Sequence, residues 1–222
     1  MLPEVCTVFI VEARNGGTRR LAFAALTTPP TSPASDPFSH ASPSGVAVRR
    51  WTENDGVTSI TALLHRAYAK QVTMGLKPLA GRQDDTVTQR RLSSGESFVA
   101  LLDGTVVGVI ILNEQEPDEG PDWFHKPRTC SFSQFAVDPA LQSKGIGRAL
   151  LATVEQRAAE LGNEELALSM AEPDHDLRDY YLKRGYRIIS TWQWPYTNYT
   201  SLIMSRRLNE TRPSGSESDA QP

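Results

Sequence analysis

Cysteine is scarce. Cys6 and Cys130 are the only two among 222 residues. They are too few and too far apart for a disulfide framework or a cysteine metal site, so both are expected as free thiols in a reducing compartment. No stretch approaches the ~20 consecutive apolar residues that a membrane-crossing helix needs. Positive charge is not in excess: 23 Lys and Arg stand against 26 Asp and Glu, a net charge of -3, which leaves no basic footprint for nucleic acid. A cationic leader is also missing. Glu4 and Glu12 sit where a secretory or transit segment would be basic, in spite of Arg14, Arg19 and Arg20, and a cytoplasmic protein is expected. There is no internal repeat and no G-x-x-x-x-G-K-[ST] phosphate loop.

What is present is a segmented, ordinary globular composition, 39% hydrophobic and 22% charged, of a length that suits one domain with tails. Residues 27–45 are rich in Pro, Ser and Thr, and residues 209–222 are polar. Neither buries enough apolar surface to offset its ordering entropy. The expected division is a flexible segment over 1–45, a folded domain over 46–208 and a disordered tail over 209–222. Within the domain, Val46 to Trp51 reads as a strand and Val57, Ile60, Leu63, Leu64 and Ala67 as one face of a helix to about Lys70. Asp84 and Asp85 open a second helix ended by Gly95. Asp103-Gly104 between apolar runs predicts a tight hairpin. A polar loop, a strand over Thr129 to Val137, and a helix from Gly145 to Leu161 follow. A strand over Leu166 to Met170, a helix over Asp174 to Arg184, and strands over Arg187 to Trp192 and Tyr199 to Arg206 complete the pattern. This predicts a mixed α/β layered domain: a mostly antiparallel central sheet of about seven strands flanked by about four helices.

The sharpest feature runs from Phe135 to Leu151, FAVDPALQSKGIGRALL. A strand ends, a tight turn follows, and a glycine-bearing loop opens an amphipathic helix. The first N–H groups of a helix lack partners and the helix dipole is positive there. Glycines at 145 and 147 allow a phosphate to approach the main chain, and Lys144 and Arg148 add charge. A dinucleotide fingerprint would need a third glycine where Leu150 stands. Gln142-x-x-Gly145-x-Gly147 resembles the pyrophosphate loop of GCN5-related N-acetyltransferases (GNAT), and the preceding Val-Asp-Pro resembles that family's lead-in. A second segment, DYYLKRGY from Asp179 to Tyr186, is similar to the end of the family's fourth helix, with Tyr186 in place of Phe.

The resemblance implies an acetyl-CoA-dependent N-acetyltransferase using direct attack by a primary amine of a small molecule, with no metal. The alternatives are a protein or peptide N-acetyltransferase and a non-catalytic acetyl-CoA sensor. It implies that Gln142, Ser143, Lys144, Gly145, Ile146, Gly147 and Arg148 hold the pyrophosphate, and that the main chain of Phe135, Ala136 and Val137 meets the pantetheine arm. Val137 N–H becomes the oxyanion donor, and Tyr181, rather than Tyr180, the acid that protonates the thiolate. Asp174 stands where the family often carries an Asn that hydrogen-bonds the coenzyme, so the resemblance places it at the cofactor, and Asp can cap the helix equally well. The strand before the loop, from Ser131 to Phe135, has no carboxylate. The general base is therefore either solvent near Ser133 and Gln134 or one of Glu114, Glu116, His125 and Glu172. Trp123, Phe124, Trp194, Tyr196 and Tyr199, with acidic loop residues, suit a cationic amine with an apolar body, although acidic loops also serve solubility alone. A monomer or a homodimer is expected.

Overall fold

The computed structural model describes residues 45–114 and 120–208, and the main chain of His40 and Ala41. The readings made for residues 1–39, for Cys6 and Glu116, and for the tail 209–222 lie outside the described residues. Eight strands form one sheet: β1 His40–Ala41, β2 Val46–Arg50, β3 Glu96–Leu102, β4 Thr105–Asn113, β5 Thr129–Val137, β6 Glu165–Ala171, β7 Arg187–Trp192 and β8 Ser201–Arg207. Their spatial order is β1-β2-β3-β4-β5-β6-β8-β7. Only β5 and β6 run parallel, joined by the α3 crossover, whereas the other neighbours are antiparallel. The helices are α1 Val57–Thr73, α2 Asp85–Ser93, α3 Ile146–Glu160 and α4 His175–Leu182.

Both faces of the sheet are covered, which explains the unbroken apolar run of β4. Ile110 and Leu112 face α3 and α4, packing with Leu150, Val154, Phe132 and Tyr181. Val109 and Ile111 alternate to the other face and meet Ile60, Leu63 and Leu64 of α1 and Leu92 of α2. Each such fully buried aliphatic side chain contributes roughly 1.5–3 kcal/mol. The hairpin turn is as read, with Asp103 and Gly104 both at positive φ (50° and 76°).

Three details differ from the sequence reading. The sheet begins inside the segment expected as linker, since His40 and Ala41 pair with Val48 and Ala47. Two residues of main-chain pairing leave no periodicity to detect. The polar loop after β4 contains a turn of 3-10 helix, Asp122–His125, that buries Phe124. Finally, Gly95 is not a left-handed cap, because Ser94 ends α2. Gly95 is required for close approach instead: a Cβ there would run into the Leu112 carbonyl oxygen and crowd Ile111 Cγ2 at 3.0 Å. Gly95→Ala should therefore cost about 1–3 kcal/mol by overpacking and lower Tm by roughly 2–12 °C, as read by thermal denaturation. An unchanged Tm would show that the β3–β4 contact relaxes freely.

Candidate active site

The site begins as a fault in the sheet. β5 pairs with β6 only from Thr129↔Glu165 to Phe132↔Leu168, and beyond that the two strands separate. On its other side β5 carries one extra residue against β4, where pairing shifts between Ile111↔Ser133 and Val109↔Ala136. Gln134 absorbs the bulge with φ 51°, a left-handed conformation that costs a non-glycine residue of order 1–3 kcal/mol. Its side chain is buried and held, its Oε1 accepting from Gln83 Nε2 at 3.0 Å. Gln83 Nε2 also lies 2.8 Å from Thr88 Oγ1.

After the bulge, the ladder fixes which groups face the opening. Asp138 N–H donates to Val107 O at 2.9 Å, and Val137 opposes Gly108. Antiparallel pairs alternate, so the N–H and C=O of Val137 turn away from β4 into the gap, as does the carbonyl of Phe135. That carbonyl accepts from Tyr68 Oη of α1 at 3.4 Å.

At the mouth of the gap sits the glycine loop. Asp138 accepts from Ala140 N–H and pairs with Arg66 at 2.8 Å, closing the turn after β5. Ser143 and Gly145 take φ of 64° and 85°. The first main-chain bond of α3 is Ala149 N–H to Gly145 O, 3.0 Å, so among the described residues the N–H groups of residues 143–148 have no main-chain acceptor. Alternating left- and right-handed residues turn such amides toward one point, an anion cradle reinforced by the helix dipole. Lys144 and Arg148 have no carboxylate partner among the described residues. Gly147 keeps the floor open, since a Cβ there would stand 3.3 Å from Phe135 Cζ and 3.7 Å from Tyr180 Oη.

These parts line one cleft of about 1900 Å³, which includes every residue the sequence reading placed at the cofactor: Phe135, Ala136, Val137, Gln142 to Arg148, Asp174 and Tyr181. Tyr181 is buried against Phe132, Tyr180 and Tyr186, with ring centroids 5.3–6.0 Å apart. Its hydroxyl makes no hydrogen bond among the described residues. Burial first, then the neighbouring Tyr68 and Tyr180 phenols, push its pKa well above that of an ordinary tyrosine, so it is protonated throughout the neutral range. Tyr180 lies beneath Arg184, whose guanidinium is 3.5 Å from the ring centroid. Asp174 caps α4 by accepting from Leu177 N–H and also accepts from Gln71 Nε2 at 3.0 Å. Its carboxylate is thus engaged within the protein, locking α4 to α1.

Other expectations are not brought together. Glu114, His125 and Glu172 are exposed and do not line the cleft. Ser133 does line it, accepting from Asn113 Nδ2 at 3.2 Å. Trp123 is also outside the cleft; Lys126 Nζ caps its ring at 3.8 Å. Cys130 is buried in β5, its thiol pushed up to about 12 by burial, and is no nucleophile. The cleft does include Phe124, Trp194, Tyr196 and Tyr199 as expected, and it adds residues the sequence reading passed over: Tyr68, Arg90 and Arg91. Tyr68 extends the apolar stripe of Ile60 and Leu64 by one turn, the one signal that could have placed it.

A sheet split over a helix N-terminus that can seat a pyrophosphate defines a protein built for a nucleotide-bearing cosubstrate. Residues 58–186 match the model of the family described as Acetyltransferase (GNAT) family, and the chain belongs to that family. Solved structures share the fold. The ribosomal-protein-S18-alanine N-acetyltransferase from Escherichia coli superposes with TM-score 0.57 at 14% identity, over 76% of this chain and 97% of its own. A GCN5-related N-acetyltransferase from Kribbella flavida gives 0.56 at 23%, over 75% and 99%. The putative acetyltransferase yncA from Salmonella typhimurium, solved with its cofactor acetyl-CoA, gives 0.56 at 18%, over 78% and 99%. No curated protein matches the sequence.

Proposed function

We propose that the protein transfers an acetyl group from acetyl-CoA to the primary amine of a small molecule by direct attack in a ternary complex. The cradle of residues 143–148 supports the coenzyme: six consecutive amides, two glycines and two unpaired cations suit a pyrophosphate. Acetyl-CoA would supply an acetyl thioester open to a nucleophile. The main chain of Phe135 and Val137 would pair with the pantetheine arm as an added strand does. Val137 N–H, turned into the gap, would donate to the oxyanion. Tyr181 Oη would hold the proton that the departing thiolate needs.

One observation favours a small acceptor over a peptide. The loops on either side of the acceptor end are tied together: Lys77 N–H donates to Asn198 Oδ1 (2.7 Å), Asn198 Nδ2 to Gly75 O (2.9 Å) and Arg82 Nη2 to Tyr196 O (2.6 Å). A peptide lying across the site would need that junction open. A thiol-release assay with free amines and with peptides tests this reading, and turnover of peptides alone would replace it with the protein-acetylating alternative.

The proton inventory yields a pH prediction. Among the described residues, the only carboxylates lining the cleft are Asp174 and Asp176, with Lys70 Nζ 3.7 and 2.6 Å away. Lys70 is the first cause that holds Asp176 below its usual range. Among the described residues no free carboxylate lines the cleft at β5, so the amine would lose its proton to solvent at Ser133. The acid Tyr181 must stay protonated to act, and its raised pKa keeps it so. kcat/KM for the amine should therefore climb with pH up to the amine's own pKa and show no fall before pH ~10. A plateau near neutrality would reveal a dedicated base.

A further inference from the structure

The cleft holds a second group of unpaired cations, remote from the phosphate cradle. Arg90 and Arg91 occupy the last turn of α2 and both line the cleft. Arg91 is half-buried. Neither has a carboxylate partner among the described residues. They sit across the sheet from Lys144 and Arg148, because α2 packs on the face opposite α3. The remaining cations of the cleft are occupied. Lys70 is paired with Asp176, and Arg184 rests on Tyr180 and donates to its carbonyl oxygen at 3.1 Å.

Arg91 lines the same cleft as Tyr68 and Phe135. Burial pushes the Tyr68 phenol up to about 12, and the positive charge of Arg91 opposes that rise. Tyr68 in turn touches the Phe135 carbonyl at the bulge. The same cleft has an aromatic wall in which Trp194 stacks on Tyr196 (5.6 Å, 22°) and meets Trp192 edge-on at 6.2 Å. A half-buried guanidinium has lost part of its hydration and gains most from a planar anion that can be bound through two parallel hydrogen bonds. Among the described residues, the carboxylates that line the cleft, Asp174 and Asp176, both have Lys70 beside them, whereas Arg90 and Arg91 have no such partner.

We propose that the acceptor is an amine carrying a carboxylate on an aromatic or bulky apolar body, as in an aromatic amino acid, and that Arg91, assisted by Arg90, receives that carboxylate. The proposal rests on the acetyltransferase reading above and specifies its substrate class. The test compares L-tryptophan and L-phenylalanine with tryptamine and phenethylamine in the thiol-release assay, for wild type and Arg91→Gln. Wild type should favour the amino acids in kcat/KM by at least about tenfold, the value of one charge-assisted pair. In Arg91→Gln that preference should collapse through KM for the amino acid, with KM for acetyl-CoA held within about twofold. A binding arm needs no turnover: in the presence of coenzyme A, N-acetyl-tryptophan should raise Tm more than N-acetyltryptamine does. Preference for the decarboxylated amines, a preference unchanged in Arg91→Gln, or no advantage of the acid in either arm overturns the proposal. Acetyl-CoA affinity is measured on the same preparation. Its absence sinks the acetyltransferase reading itself, whereas its presence with no acid preference sinks only the carboxylate subsite.

Discussion

Tyr181→Phe is expected to lower kcat by roughly 10²–10⁴-fold, the range for losing a positioned proton donor. The Kd for acetyl-CoA should stay within about threefold, because the interaction belongs to the transition state and not to the bound ground state. Stability should not follow activity. The Tyr181 hydroxyl has no hydrogen-bond partner among the described residues, so its removal strands no buried group, and the phenyl ring keeps its contacts with Phe132 and Tyr186. Tm should move by no more than about 2 °C. Tyr180→Phe is the control, since that ring stacks under Arg184 at the edge of the phosphate loop. If Tyr180→Phe lost kcat and Tyr181→Phe did not, the donor role would pass to Tyr180.

The second large effect is expected at the glycines. Gly145→Glu combined with Gly147→Glu should weaken acetyl-CoA binding by at least about 100-fold, the equivalent of two lost charge-assisted hydrogen bonds. Two causes act together. A carboxylate at a helix N-terminus competes for the amides that would hold the pyrophosphate and repels it. At Gly145, φ is 85°, where any side chain adds about 1–2 kcal/mol of strain. Gly145 has room, as only Arg148 Nη2, at 3.9 Å, lies near a Cβ built there, and at Gly147 the nearest atom, Phe135 Cζ at 3.3 Å, is the far end of a side chain that need give by only a few tenths of an ångström. Far-UV circular dichroism should therefore show a folded double variant. Undiminished titration heat with acetyl-CoA in that folded variant would mean the coenzyme does not use this loop.

How much of this was legible in the sequence depends on how local each feature is. The shape of the glycine loop was fully legible, because a strand end, Asp138-Pro139, two glycines and a helix stripe are all written within seventeen consecutive residues. The elements themselves were legible from apolar periodicity, and Asp103-Gly104 announced its turn. What escaped is long-range. The bulge at Gln134 depends on Gln83, 51 residues away. The lock between Gln71 and Asp174 spans 103 residues, and the loop junction through Lys77 and Asn198 spans 121. No local pattern encodes such partners. The loops were read as acidic plus aromatic; Phe124, Trp194, Tyr196 and Tyr199 do line the cleft, whereas Glu114 and Glu172 do not and α2 supplies Arg90 and Arg91. Which side of a loop faces a cleft is set by packing that composition does not carry. Gly95 shows the same limit at short range: a glycine after a helix reads as a cap, but here it makes room for the carbonyl of the neighbouring strand.

The central claim is that the split between β5 and β6, together with the amides of residues 143–148, is an acetyl-CoA site. Backbone amide resonances of the isotope-labelled protein, followed during titration with acetyl-CoA, test it most directly. The account predicts saturable one-to-one binding with a Kd on the order of micromolar. The largest shifts should fall on residues 143–148 and on Phe135 to Val137, with smaller ones along β1 to β3. A folded protein whose spectrum is unchanged at millimolar acetyl-CoA, or whose shifts cluster away from the loop and the gap, would contradict it.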